Sequence, residues 1–109
     1  MPRPINPAEL AARIEAGSPV HLLDVRQPAE HALAALANSQ LIPLHELPQR
    51  WSEVTPKDGA AVVCYCHHGV RSWHAAGFLE HQGFADVYSL TGGIDAWSCQ
   101  VDPSVPRYA

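Results

Sequence analysis

Within the nine residues Cys64–Ser72, "CYCHHGVRS", stand two cysteines, two histidines, a glycine and an arginine. Residues of these types could hold a metal, form a reactive thiol, or merely end a buried strand. A metal centre is the poorest fit. Zinc sites usually draw their ligands from two separated pairs. Here no second cysteine pair exists, and His21, His31, His45, His74 and His81 are scattered. Neither a metal nor a cofactor is expected. A reactive thiol fits better. The preceding run "AAVVCY" is apolar throughout, as a buried strand should be, and Arg71 opens a helical stretch. Cys66 therefore stands at a strand end, and residues 67–70 turn the chain into a helix. Such a loop can aim several backbone N–H groups at one point, and Gly69 helps by permitting positive φ. The positive end of the following helix faces the same point. A thiolate there is stabilised. Cys66 is the candidate nucleophile, and His67, His68, Gly69, Val70, Arg71 and Ser72 form its candidate cradle and substrate-binding loop.

The neighbours divide between chemistry and packing. Cys64 lies two positions before Cys66 and would share its strand face. It reads as a small core residue, because i and i+2 on a strand are poorly aimed for a disulfide. Cys99 reads as a surface thiol. His67 and His68 either line the rim, where protonation would favour an anionic donor, or face solvent. Arg71 could bind the donor's oxygens or pair with Asp24 to hold the loop. Trp73 is expected as a partly exposed pocket wall, and Trp51 and Trp97 as core anchors.

The elements that must position this loop follow from punctuation and periodicity. Asn6, Pro7 and Glu9 form a helix-start signature, and "PAELAARIEAG" puts Leu10 and Ile14 on one face, ending at Gly17. "PVHLLDV", "QLIPL", "AAVVCY" and "ADVYSL" read as strands, the second cut by Pro43. "PAEHALAAL" is helical from Pro28, and "HELPQRW" is a short helix interrupted by Pro48. Residues 71–82 form a helix with Ala75, Phe78 and Leu79 inward and Gly83 as its C-cap. "TGG" is a turn and "IDAW" a short helical turn. The tail, about 100–109, is expected to be extended. Apolar strands alternating with helices make a small parallel sheet with helices on both faces, an α/β domain. Ligands of such sheets sit outside the carboxyl ends of the strands. Both "DVR" (residues 24–26) and "CHHGVR" (residues 66–71) fall there.

Length and charge bound the rest. With 109 residues, one domain over 1–109 is expected. The net charge is −4, with Lys57 the single lysine and no basic run, which speaks against nucleic acid. No stretch is long and apolar enough for a membrane span, and "MPRPINPAEL" has no signal-peptide core. Three cysteines make no disulfide framework, so a cytoplasmic location is expected.

Taken together, "LLDVRQPAE", "YCHHGVRS", "GF" and "VYSLTGGIDAW" resemble, in order and spacing, the rhodanese-like domains over roughly Pro7 to Trp97. The resemblance implies the rhodanese-like α/β fold and sulfurtransferase chemistry. A sulfane sulfur donor, often thiosulfate, would leave a persulfide on Cys66, which passes the sulfur to cyanide or another thiol, including a protein thiol. Asp24 and Arg26 match the family's acidic and basic pair behind the site, and Glu30 matches a further brace of that scaffold. One stretch departs: members usually carry Gly-His-Ile and a Gly-Ala pair where this chain has "HALAALANSQLIPL", of which "IPL" matches. Other readings within the fold are a non-catalytic module, a persulfide carrier, and a phosphatase or arsenate reductase. The last two enzymes use Cys-x5-Arg, whereas Cys66 to Arg71 is Cys-x4-Arg.

Overall fold

The computed structural model describes residues 2–109. Five strands form one sheet: β1 (Arg3–Ile5), β2 (Val20–Asp24), β3 (Gln40–Leu41), β4 (Ala61–Tyr65) and β5 (Val87–Leu90). Their spatial order is β1-β5-β4-β2-β3, and every pairing is parallel. β4 lies at the centre, which is why all five of its residues are buried and why its sequence is apolar without alternation. Register brings the site together: Asp24 pairs with Tyr65, and Cys64 with Ser89.

The two faces of β4 serve two cores. Val62 and Cys64 point into one, shared with Leu23, Leu47, Ala75, Ala76 and Leu79. Val63 and Tyr65 point into the other, shared with Leu10, Leu22, Leu90 and Ile94. Cys66 continues the parity of Cys64 and joins the first core. Its thiol is thereby carried under α4 (Val70–His81). On that face α4 is accompanied by helical turns at Leu44–Glu46, α3 (Leu47–Arg50) and Trp51–Glu53. Pro48 lies in the first turn of α3 rather than interrupting a helix, since its missing N–H costs nothing there. The opposite face carries α1 (Pro7–Glu15) and α5 (Gly93–Gln100). A short α2 (Pro28–Leu33) follows the end of β2.

The expected capping box is present at α1: Glu9 N–H donates to Asn6 Oδ1 at 2.8 Å, and Asn6 N–H to Glu9 Oε1 at 2.9 Å. Leu10 is fully buried, but Ile14 is 47% exposed, because the last turn of this short helix only borders a shallow cleft with Leu22, Leu36 and Trp97. β1 was invisible to periodicity. It is three residues long and contains Pro4, which only an edge strand tolerates. The departing stretch turns at Asn38, whose φ of 63° is one that asparagine adopts more readily than most residues. The tail is not extended throughout. After α5 it turns, with Val105 N–H donating to the carbonyl of Asp102 at 3.1 Å, and runs back to the carboxyl end of the sheet. Among the described residues no helix is long and apolar enough to cross a membrane.

Candidate active site

At the end of β4 the chain must leave the sheet and start α4 within four residues. Gly69 makes this possible at φ 108°, in the left-handed region, as the N-cap residue of α4. A glycine offers no side chain to cap the helix. The Cys66 sulfur takes that place: Gly69 N–H donates to Sγ at 3.0 Å and Ser72 N–H at 3.4 Å. The thiol in turn faces Ser72 Oγ at 3.6 Å, and that hydroxyl is 2.7 Å from Ser89 Oγ on β5. Two backbone amides and the positive end of a twelve-residue helix thus converge on one sulfur. Cys66 is only 1% exposed.

The outer side of the loop is held by the turn into α5. Ile94 N–H donates to the Cys66 carbonyl at 2.8 Å, and Asp95 N–H to the His67 carbonyl at 3.2 Å. With these carbonyls turned towards α5, the loop amides are free to face the sulfur. Such proximity leaves no room for a side chain at residue 93. Gly93 sits at φ 64°, and a Cβ there would overlap the carbonyl oxygens of Cys66 and His67.

Two charged pairs lie at this end of the sheet. Asp24 and Arg26 are fully buried, joined by Arg26 Nε to Oδ1 at 2.8 Å and Nη2 to Oδ2 at 2.7 Å. Burial opposes the arginine's charge, but hydrogen bonds to Asp24 and Tyr108 outweigh it and hold the pKa above its ordinary value. Asp24 also meets His31 Nδ1 at 2.7 Å and accepts from the Tyr65 hydroxyl at 3.3 Å. Arg71 does not pair with Asp24. Its guanidinium reaches Glu30 instead, at 2.7 and 2.9 Å, because α2 presents Glu30 to the first turn of α4.

The remaining residues lie at the rim. His67 is stacked between His68 and Tyr108, each with ring centroids 4.0 Å away. His68 is exposed. Val70 and Trp73 are exposed beside a largely apolar cleft of about 500 Å³ that Gly69, Ser89 and Pro4 also line, but not Cys66. Cys64 is buried, its thiol pKa pushed up by burial first and by Cys66 second. Cys99 is exposed. His67, His68 and Asp95 each offer one ligand atom within 4.8 Å of the others. Asp95 is also paired with Arg107 at 2.8 Å, and the two imidazoles are stacked nearly parallel.

The family model of the rhodanese-like domain matches residues 6–100. The chain belongs to the rhodanese-like domain family. A sulfurtransferase of Allochromatium vinosum is 40% identical over 94 residues, covering 86% of each chain. The thiosulfate sulfurtransferase GlpE of Pseudomonas fluorescens is 38% identical over 93 residues, 85% of this chain and 82% of that one. The crystal structure of a rhodanese-related protein from Thermoplasma volcanium superimposes with a TM-score of 0.80 at 35% identity, over 97% of this chain and 99% of that one. Some relatives are longer: the chain spans 30% of a chloroplastic rhodanese-like/PpiC domain-containing protein of Arabidopsis thaliana, at 41% identity.

Several contributors to this rhodanese-like site escaped the sequence reading: Tyr65, Ser89, Gly93, Asp95 and Tyr108. All but Tyr108 fall in the motifs that carry the resemblance, but only the glycines of "TGG" had a local reading, a turn, which did not say what the turn touches. The Glu30–Arg71 pair has a measurable consequence. Hydrogen bonds from Arg71, opposed by burial and aided by the Gln27 N–H and Tyr108, lower the Glu30 pKa to about 2. An unfolded glutamate titrates near 4.3. A lowered folded pKa stabilises the fold in full above about pH 4.3, and that contribution is lost as pH falls towards about 2. Glu30→Gln is therefore expected to flatten the stability profile over this acid range and to lower stability at pH 7. Urea melts at several pH values measure it; an unchanged acid slope would refute the coupling.

Proposed function

We propose that the protein is a sulfurtransferase in which Cys66 carries a sulfane sulfur between a small anionic donor and a thiol or cyanide acceptor. The observation that carries this reading is the convergence of the Gly69 and Ser72 N–H groups on Cys66 Sγ. The names of the two curated relatives of similar length support it. In the first half-reaction the Cys66 thiolate attacks the outer sulfur of thiosulfate. An S–S bond forms to Cys66, the S–S bond of the donor breaks, and sulfite leaves with the electron pair. The product persulfide keeps one negative charge, which the amides and the dipole of α4 stabilise. In the second, cyanide or a thiolate attacks the outer sulfur and the Cys66 thiolate is regenerated. Gly69 and Ser72 hold the sulfur that accepts the transferred atom, His67, His68 and Val70 form the rim through which donor and acceptor approach, and Arg71 acts through Glu30 to hold the loop. Asp24 and Arg26 anchor the strand end behind it. A protein thiol, such as that of a relay partner, is an equally suitable acceptor. The three free thiols suit a reducing compartment such as the cytoplasm.

The expected result is a mass gain of about 32 Da, one sulfur as a persulfide, after incubation with thiosulfate, and its loss on adding cyanide. Intact-protein mass spectrometry tests it. No gain with thiosulfate or with a stronger sulfane donor would overturn the proposal.

A further inference from the structure

Tyr108 lies far along the chain from the Cys66 loop and yet touches each of its supports. Its hydroxyl accepts from Arg26 Nη1 at 2.9 Å and donates to Glu30 Oε2 at 2.8 Å. Those two side chains belong to the two separate charged pairs, one at the end of β2 and one joining α2 to the start of α4. The phenol is the link that joins Asp24–Arg26 to Glu30–Arg71. Its ring lies flat on His67, at 4.0 Å and 15°. The segment that delivers it is itself tied down. Arg107 grips Asp95 at 2.8 and 3.2 Å, and the half-buried Val105 packs against the core on the α5 face of the sheet. Asp95 is also the residue whose N–H holds the His67 carbonyl. His67 is thus held by its backbone from α5 and by its ring from Tyr108.

We infer that Tyr108 is a positioning residue for sulfur transfer, acting through His67 and through the Arg26 and Glu30 side chains to fix the Cys66 loop. The inference rests on the sulfurtransferase reading for its kinetic test. A loop whose amides must aim at one sulfur tolerates little displacement, and misplacing reacting groups by about 1 Å costs on the order of 100-fold in rate. Nothing about a tail tyrosine would matter to the rate if the loop were rigid without it.

The test compares Tyr108→Ala, which removes both the stack and the hydroxyl, with Tyr108→Phe, which keeps the stack. Steady-state thiosulfate–cyanide kinetics are run well below each variant's melting temperature. Tyr108→Ala is expected to lower kcat by about 10- to 100-fold with KM near the wild-type value, and Tyr108→Phe to recover part of that loss. Wild-type kcat in Tyr108→Ala, or a loss that merely follows the folded fraction, overturns the inference. A second readout does not depend on sulfur transfer. A loosened loop uncovers a thiol that is 1% exposed, so iodoacetamide should label Cys66 faster in Tyr108→Ala, as read by peptide mass spectrometry. If the wild type takes up no sulfur, the sulfurtransferase reading fails on its own, and an unchanged labelling rate then overturns the role of Tyr108.

Discussion

Replacing Cys66 with serine is expected to abolish sulfur uptake, while Cys64→Ser and Cys99→Ser keep most of it. A serine hydroxyl does not ionise near neutral pH and cannot carry a persulfide. It can still accept from the Gly69 and Ser72 N–H groups that now reach Sγ at 3.0 and 3.4 Å, so the loop should stay folded. Loss of activity would then be loss of the nucleophile alone. Cys64 faces the core beneath α4. A hydroxyl buried there costs roughly 1–3 kcal/mol of stability, but the sulfur two residues further on is untouched. Cys99 is exposed, and a surface change of this kind stays within about 0.5 kcal/mol. Mass spectrometry after thiosulfate treatment, with circular dichroism for folding, separates the three. A folded Cys66→Ser protein that still gained cyanide-labile sulfur would move the chemistry to another thiol.

The second large effect lies outside the loop. Gly93→Ala should reduce sulfur transfer about 100-fold. The new methyl group would overlap the Cys66 and His67 carbonyl oxygens, both of them backbone atoms that no rotamer change can move. Either α5 backs away, breaking the bonds from Ile94 and Asp95, or the peptide planes of residues 66 and 67 rotate. In both cases the loop amides lose their aim. The control is Gly83→Ala. That residue also has positive φ, 104°, but a Cβ there meets nothing within 4 Å. It should cost about 1–2 kcal/mol of strain and leave the rate per folded molecule unchanged. Thermal melts and steady-state rates on both variants decide the matter. Equal activity losses in the two would mean that strain, not contact with the loop, is responsible.

What could be read from the sequence depended on whether an interaction is local. The capping box at Asn6, the central strand at residues 61–65 and the strand–loop–helix passage through Cys66 are each written in consecutive residues, and each is present. The sheet's layered arrangement followed from apolar strands alternating with helices. The edge strand β1 was hidden because three residues give no periodicity and Pro4 argues against a strand. The partner of Arg71 was open for a different reason. Asp24 and Glu30 both sit near the end of β2, and only the placement of α2 selects Glu30. Tyr108 was least legible of all. A tyrosine between an arginine and the last alanine of a proline-containing tail has no spacing relation to residues 26, 30 or 67.

Because the Cys66 sulfur stands where the N-cap side chain of α4 would, chemistry at that atom has a spectroscopic echo in the backbone. A persulfide places a second sulfur on Sγ, and an alkylated sulfur loses much of its acceptor strength. The Gly69 and Ser72 amides would register each state in their proton and nitrogen chemical shifts. When the cap weakens, solvent exchange of the first-turn amides of α4 should accelerate, while those of Ile94 and Asp95, bonded on the far side of the loop, keep their protection. Nuclear magnetic resonance on the labelled protein could thus follow the sulfur's occupancy, turnover by turnover, without any label on the sulfur itself.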